Sequence, residues 1–343
     1  MEKIDFNYRN KILTIVFAGI LLFFTVIFSI CVGVYTIPLF EVFNAIIYHI
    51  LGNGGASNEI YSTIVWDIRI PRILTGMLIG MALATSGATY QGVFRNPLVS
   101  PFILGVSSGA AFGAALSIIY PVPYSVQISA FIFGMVAVFF AYSLAKVRGK
   151  TPLVTLLLAG VILGSLFNAL VSIFQYMASV AQLKAIVFWL MGGLHHIGWT
   201  QFYTVVFLIP LGIILLMGYS WKLNILSLGD EEAKSLGINS ERLKIILIII
   251  ATFITSISVS VAGIIGWVGL MIPHASRLIV GPDHRFLLPL SAIMGGIFLI
   301  LCDTIARTIT TGEVPLGIVT SILGAPYLIY LLRSKKTQFF GGD

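Results

Sequence analysis

The polar positions of this chain come in short clusters, and between them run uninterrupted apolar stretches. Ten stretches read as membrane crossings, near residues 12–35, 62–90, 98–119, 125–145, 153–178, 201–221, 243–262, 267–280, 286–308 and 316–333. A helix needs about 20 apolar residues to cross ~30 Å of hydrocarbon, and several runs reach that length. The runs are continuous, whereas a transmembrane barrel would alternate, so the pattern predicts an all-α polytopic membrane protein. The first run is too long for a signal-peptide core and lacks an Ala-x-Ala pattern near its end, so it is expected to be a retained helix.

Two segments do not fit a crossing. Residues 37–60 hold Pro38, an amphipathic stretch (Phe43, Ile46, Ile47, Ile50) and the turn Gly52-Asn53-Gly54-Gly55. Residues 179–200 contain "AIVFWLMGGL", too short to span. It is expected to be a re-entrant or interfacial helix with Trp189 and Trp199 at headgroup depth.

Positive charge supports the count. With the N-terminus inside, 16 of the 20 lysines and arginines fall on inside segments, and only Arg69, Arg72, Lys184 and Arg307 fall outside. That bias is the one expected of a correct topology. It places both termini in the cytoplasm: a tail over 1–11, a loop over 222–242 and a tail over 334–343. Connections are short, so residues 1–343 read as one membrane domain. Crossings two to five and seven to ten form two inverted four-helix halves. Each has a proline-bearing second member, "RNPLVSPFILGVSSGA" (95–110) and "GWVGLMIPHASRLIVG" (266–281). Matched broken helices in inverted halves point to a transport pathway.

Composition narrows the chemistry. The chain is 58% hydrophobic and only 10% charged, with a mean hydropathy of +1.02. Its net charge of +7 is accounted for by orienting loops and calls for no nucleic acid. Cys31 and Cys302 lie inside apolar runs and suggest packing, not a disulfide or a metal site. His195 and His196 are adjacent, and His49, His274 and His284 are scattered, so no convergent metal set is visible. Gly149-Lys150-Thr151 ends like a phosphate-binding loop. However, Leu144 stands where the first glycine would be, and no strand precedes it, so ATP hydrolysis by this chain is not expected. Few acids sit at mid-membrane. Asp303 precedes Arg307 by four residues on one helical face, and Asp67 adjoins Arg69, which suggests surface ion pairs over a proton relay.

One cluster stands out. Asp230, Glu231, Glu232, Lys234, Glu241, Arg242 and Lys244 fall within fifteen consecutive residues of "SLGDEEAKSLGINSERLK" (227–244). The three acids favour a helix start, Lys234 follows, and Gly237 supplies a stop. A short capped helix between two spans suits a contact surface. Outside, Arg69, Arg72 and Arg307 read equally as snorkelling anchors or as docking points for an acidic partner.

Five stretches make the chain resemble the membrane permeases of ABC importers for ferric siderophores, haem and cobalamin. They are "RIPRILTGMLIGMALATSGATYQGVFRNPLVSPFILGVSSGA" (69–110), "LLLAGVILG" (156–164), "LSLGDEEAKSLGI" (226–238), "AGIIGWVGLMIPHASRLIVGPDHR" (262–285) and "EVPLGIVTSILGAPYLIYLLR" (313–333). The resemblance implies the ten-helix importer permease of the cobalamin-permease type, in the cell membrane. It implies as partners a second permease subunit (homo- or heterodimer), two cytoplasmic ATPase subunits that use ATP and magnesium, and an extracytoplasmic substrate-binding protein. No cofactor is expected in this chain. Gly229, Asp230, Glu231, Glu232, Ala233, Lys234, Ser235, Leu236 and Gly237 match the family's ATPase-coupling loop. Arg69, Arg72 and Arg307 match its binding-protein docking positions, and Asn96 and Leu98 match an inner gate. The second gate segment is polar in the cobalamin member, whereas this chain has Pro152-Leu153. The expected cargo is a ferric siderophore, with cobalamin, haem or a metal oxyanion as alternatives. An ion-coupled secondary transporter is the alternative from another class.

Overall fold

The computed structural model describes residues 8–51, 59–120, 125–147, 151–310 and 312–333. The Gly52–Gly55 turn, Gly149-Lys150 and most of both expected tails lie outside the described residues. The elements in order are α1 (Tyr8–Cys31), α2 (Leu39–Leu51), α3 (Glu59–Thr63), a π-helical turn (Ile64–Arg69) and α4 (Ile70–Phe94). There follow α5 (Val106–Ile119), α6 (Val126–Ala145), α7 (Leu153–Met177), α8 (Val180–Met191), α9 (Trp199–Val205) and α10 (Leu208–Gly218). The rest are α11 (Ser220–Leu228), α12 (Asp230–Ser235), α13 (Ser240–Ala262), α14 (Val268–Val280), α15 (His284–Ile309) and α16 (Leu316–Arg333).

Among the described residues, seven stretches are long and apolar enough to cross a membrane: α1, α3 through α4, α6, α7, α9 with α10, α13 and α15. The other three expected crossings hold shorter helices. α5 has 14 residues, α14 has 13 and α16 has 18. The 201–221 run is broken at Val206–Phe207, because Pro210 in the first turn of α10 has no N–H to bond back. The first part of the expected 222–242 loop is helical, in α11.

α4 forms the centre. All its residues but Leu74, Met77 and Met81 are buried, with α13, α14 and α15 packed around it. Small residues permit this. A Cβ on Gly80 would run into the Gly295 carbonyl oxygen of α15, and at Gly87 a Cβ would meet the Gly269 carbonyl of α14. Such close backbone approach is how helices bind one another where the hydrophobic effect offers no drive. Pro71 opens α4 and cannot donate backward; the π-helical turn just before it takes up the mismatch, and Ile70 N bonds five residues back to Val65 O.

In both halves the second helix is shortened at its start. Residues 96–105 are non-helical before α5, with Pro97 and Pro101 inside the break. Their backbone bonds locally through Val99 N to Asn96 O, Ile103 N to Ser100 O and Gly105 N to Phe102 O. Pro101 is buried and packs on Gly269. In the second half the break is at 263–267, where Gly263 and Trp267 have φ of 70° and 69°. Pro273 sits inside α14 and does not interrupt it. Non-helical backbone at this depth is tolerated because protein covers it.

Candidate functional site

The candidate residues gather at two ends of the bundle. At 1.5 Å per residue, Arg72 near the start of α4 and Arg95 just past its end are about 35 Å apart, a membrane thickness. The 229–237 loop lies at the Arg95 end.

At the loop end, α12 is a single capped piece of helix. Gly229 precedes it in a backbone conformation with φ 155°, the three acids fill its first turn, and Lys234 lies in its last. It ends as the sequence predicts. Gly237 has φ 77°, and the Gly237 and Ile238 N–H groups bond the Lys234 and Ala233 carbonyls at 2.9 Å. Ala233 is fully buried and seats the helix. Glu231, Glu232, Lys234, Ser235, Leu236 and Gly237 are exposed. Leu228 and Leu236 flank this edge at 69% and 60% exposure.

Asp230 differs from its neighbours. Its Oδ1 accepts from Arg95 Nη2 at 3.1 Å and its Oδ2 from Lys244 Nζ at 2.6 Å. Lys244, on the first turns of α13, is buried and also reaches Glu241 Oε1 at 3.3 Å. The other Glu241 oxygen accepts from the backbone N–H of Thr151 at 3.0 Å, and the Thr151 hydroxyl bonds the Tyr142 hydroxyl at 3.1 Å.

The expected gate residues lie beside this chain of contacts. Arg95 caps α4 in the left-handed region with φ 52°. Asn96 and Leu98 follow, both exposed, and the Asn96 side chain accepts from Leu98 N at 2.9 Å, which fixes the turn. Pro152 is the exposed N-cap of α7 and Leu153 its first residue. In the sequence, Glu241 and Lys244 read only as members of the charged cluster at 227–244, and Thr151 as the end of Gly149-Lys150-Thr151. Only the i, i+3 spacing of Glu241 and Lys244 hinted at their pairing.

Nearby, Asn224 of α11 is tied to the start of α15. Its Nδ2 donates to Asp283 Oδ1 at 2.7 Å and its Oδ1 accepts from His284 N at 2.8 Å. Burial alone would raise the Asp283 carboxyl. Hydrogen bonds from the Arg285 side chain and backbone and from Asn224, with the Arg285 charge, outweigh it and hold the group at about 2.

The opposite end is built on the three arginines expected to dock a partner. All three are buried and hydrogen-bonded within the chain. Arg69 donates to the Ile30, Cys31 and Tyr35 carbonyls, closing the C-terminal end of α1. Arg307 donates to the Ser29 carbonyl and to Ser29 Oγ at 2.8 Å. Arg72 bonds Asp303 through Nε at 3.0 Å and Nη2 at 2.8 Å, and Glu313 through Nη1 at 2.9 Å. The expected pairing of Asp303 with Arg307 is present as a longer ion pair at 3.8 Å, but it is buried, not at the surface, and the closer partner of Asp303 is Arg72. Asp67 is exposed while Arg69 turns inward.

Glu313 is the one partly exposed member, at 34% of its side chain, in a left-handed turn with φ 51°. It borders a cavity of about 210 Å³ with Arg72, Phe188, His195 and Pro315. The floor is a junction of helix ends. Gly193 N bonds Ala262 O at 2.8 Å, and Leu316 N bonds Gly192 O at 3.0 Å. α8 is the 12-residue helix expected between crossings, opened by a Ser179–Gln182 capping box.

Comparison with known proteins agrees with this architecture. The model of the FecCD transport family matches residues 21–334. A protein of Methanocaldococcus jannaschii named as an ABC transporter permease is 40% identical, over 96% of this chain and 97% of its own. The cobalamin import system permease protein of Halobacterium salinarum is 44% identical, over 61% of this chain and only 56% of its own. Other relatives are named as permeases for molybdate, hemin and iron(3+)-hydroxamate. A solved structure described as an inward-facing metal-chelate type ABC transporter superposes with a TM-score of 0.81 at 35% identity, covering 93% of this chain and 98% of that one. With its central α4, its paired short helices and its capped loop helix, this chain belongs to the FecCD transport family and has the fold of an ABC importer permease.

Proposed function

We propose that this chain is the membrane-spanning subunit of an ATP-driven, binding-protein-dependent importer, with a ferric siderophore as cargo. It works as a dimer by alternating access, and separate ATPase subunits supply the energy. Cobalamin, haem or a metal oxyanion is the alternative cargo, since relatives carry names from each of these classes. The loop end faces the cytoplasm.

The observation that carries this reading is the seating of α12. Its buried side is fixed by Ala233, while Glu231, Glu232 and Leu236 remain open on a rigid, capped support. A helix fixed on one side and bare on the other suits a partner that both grips and moves it. The internal pairing of Asp303 with Arg72 weighs against the ion-coupled reading, because a carboxylate held by a guanidinium does not cycle a proton readily. The docking role of Arg69, Arg72 and Arg307 enters in altered form. They shape the outer rim, and Arg72 is the one whose second partner, Glu313, is exposed enough to be exchanged for a carboxylate of the binding protein.

The test is purification of the tagged chain from its host in mild detergent, with mass spectrometry of proteins and small molecules. An ATPase, a binding protein and its ferric ligand in the same fraction support the proposal. Flux in liposomes that persists without ATP and collapses with an ionophore refutes it.

A further inference from the structure

The contacts at the loop end form one continuous chain across four elements. It runs from Arg95 at the end of α4 to Asp230 on α12, then to Lys244 and Glu241 on α13, and on to Thr151 at the start of α7. Both ends stop next to an expected gate segment, with Asn96 after Arg95 and Pro152 after Thr151. Asp230 is the link that α12 contributes, with one carboxylate oxygen on each side.

The two branches differ in stiffness. Lys244 is about as buried as a charge becomes, at 4% of its side chain, so it must keep carboxylate partners. Glu241 cannot leave it without also releasing the Thr151 N–H, which is buried too. The Arg95–Asp230 pair is a third exposed on both sides and is correspondingly weak. Arg95 also carries a left-handed backbone, an unfavourable conformation for a side chain that is not glycine. One branch is therefore a rigid strut, and the other ends at a strained and releasable corner.

We propose that Asp230 is a positioning residue that splits any displacement of α12 between the two gate segments, through Arg95 to residues 96–98 and through Lys244 and Glu241 to residues 151–153. This rests on the reading of 229–237 as the ATPase contact and of 96–98 and 152–153 as gate segments. It assigns Asp230 away from that contact, to the inner side of the joint.

The test uses the whole complex, purified through a tag on this chain, with Cys31→Ser as background and Cys302 kept because it is fully buried. Leu98→Cys and Leu153→Cys are each labelled with a polar maleimide, with and without magnesium-ATP and vanadate. The parent proteins are expected to show an ATP-dependent change in labelling rate at both positions. Asp230→Asn loses the change at both, and Asp230→Glu retains it. Arg95→Gln loses it at 98 only, and Glu241→Ala at 153 only. That selective pattern would not arise from a merely structural role, and the two single-branch variants lie outside the α12 contact edge. If all variants respond like their parents, the proposal is overturned. If the parents themselves do not respond to ATP, the ATPase-contact reading fails and the proposal falls with it.

Discussion

Arg72 Nη2 lies 2.8 Å from Asp303 Oδ1, across 231 positions of sequence, and neither side chain is more than 7% exposed. This contact bolts α4 to α15 at the arginine end. A buried charge left without its partner is far costlier than the pair replaced whole. Asp303→Ala is thus expected to destabilise the protein by about 3–5 kcal/mol, and Arg72→Met combined with Asp303→Leu by much less. Thermal unfolding in detergent checks both. A double variant as unstable as the single one would show that the charges hold the bundle in some other way.

The glycine contacts of α4 make a second prediction. Gly87→Val forces a side chain into the backbone of α14, whereas Gly19 of α1 has nothing within 4 Å of a Cβ. Overpacking at such a contact costs about 1–3 kcal/mol or more. Gly87→Val should lower the yield of monodisperse protein sharply, and Gly19→Ala should leave it unchanged. Size-exclusion chromatography of the two reads the difference.

Acid should act through Asp283. Its carboxyl lies at about 2 in the folded chain against an ordinary 3.8, so the fold favours the ionised form. The stabilisation is complete above 3.8 and is lost as the pH falls through about 2. Asp283→Asn should be less stable than the parent at neutral pH, and the gap should close within that window. Melting curves at stepped pH follow it; a constant gap would count against the Arg285 and Asn224 contacts.

On α12, the acids separate by role. Glu231→Lys with Glu232→Lys alters only the exposed edge and should abolish ATP-driven uptake while the chain still inserts and folds. Uptake at the parent rate would remove the edge from the coupling machinery.

Much of the fold is legible in sequence, because hydropathy and loop charge report directly on burial in lipid. The α12 helix is legible too, since Gly229, the acids and Gly237 act locally. The partners of the charges are not. Asp303 and Arg307 have the right helical spacing, yet Asp303 turns to Arg72 because α4 packs against α15 there. Local spacing cannot show which of two arginines a folded bundle brings nearer. The break before α5 follows from Pro97 and Pro101. Pro273, by contrast, suggests a break that α14 does not have. The true interruption is at Gly263 and Trp267, where the backbone turns left-handed to meet the end of α8.

The seat of Pro101 on Gly269 bears on how the chain is made. The 103–105 end of the broken segment is met by Gly160 of α7, but the Pro101 end waits for α14, about 170 residues later. At roughly 5–20 residues per second, that wait is on the order of ten seconds. For this interval the Pro101 face of the segment lacks its neighbour, and only the turn bonds around Asn96 and Ser100 hold it. Nascent chains stopped before α14 should accordingly be clients of membrane quality control, and those stopped just after it should not.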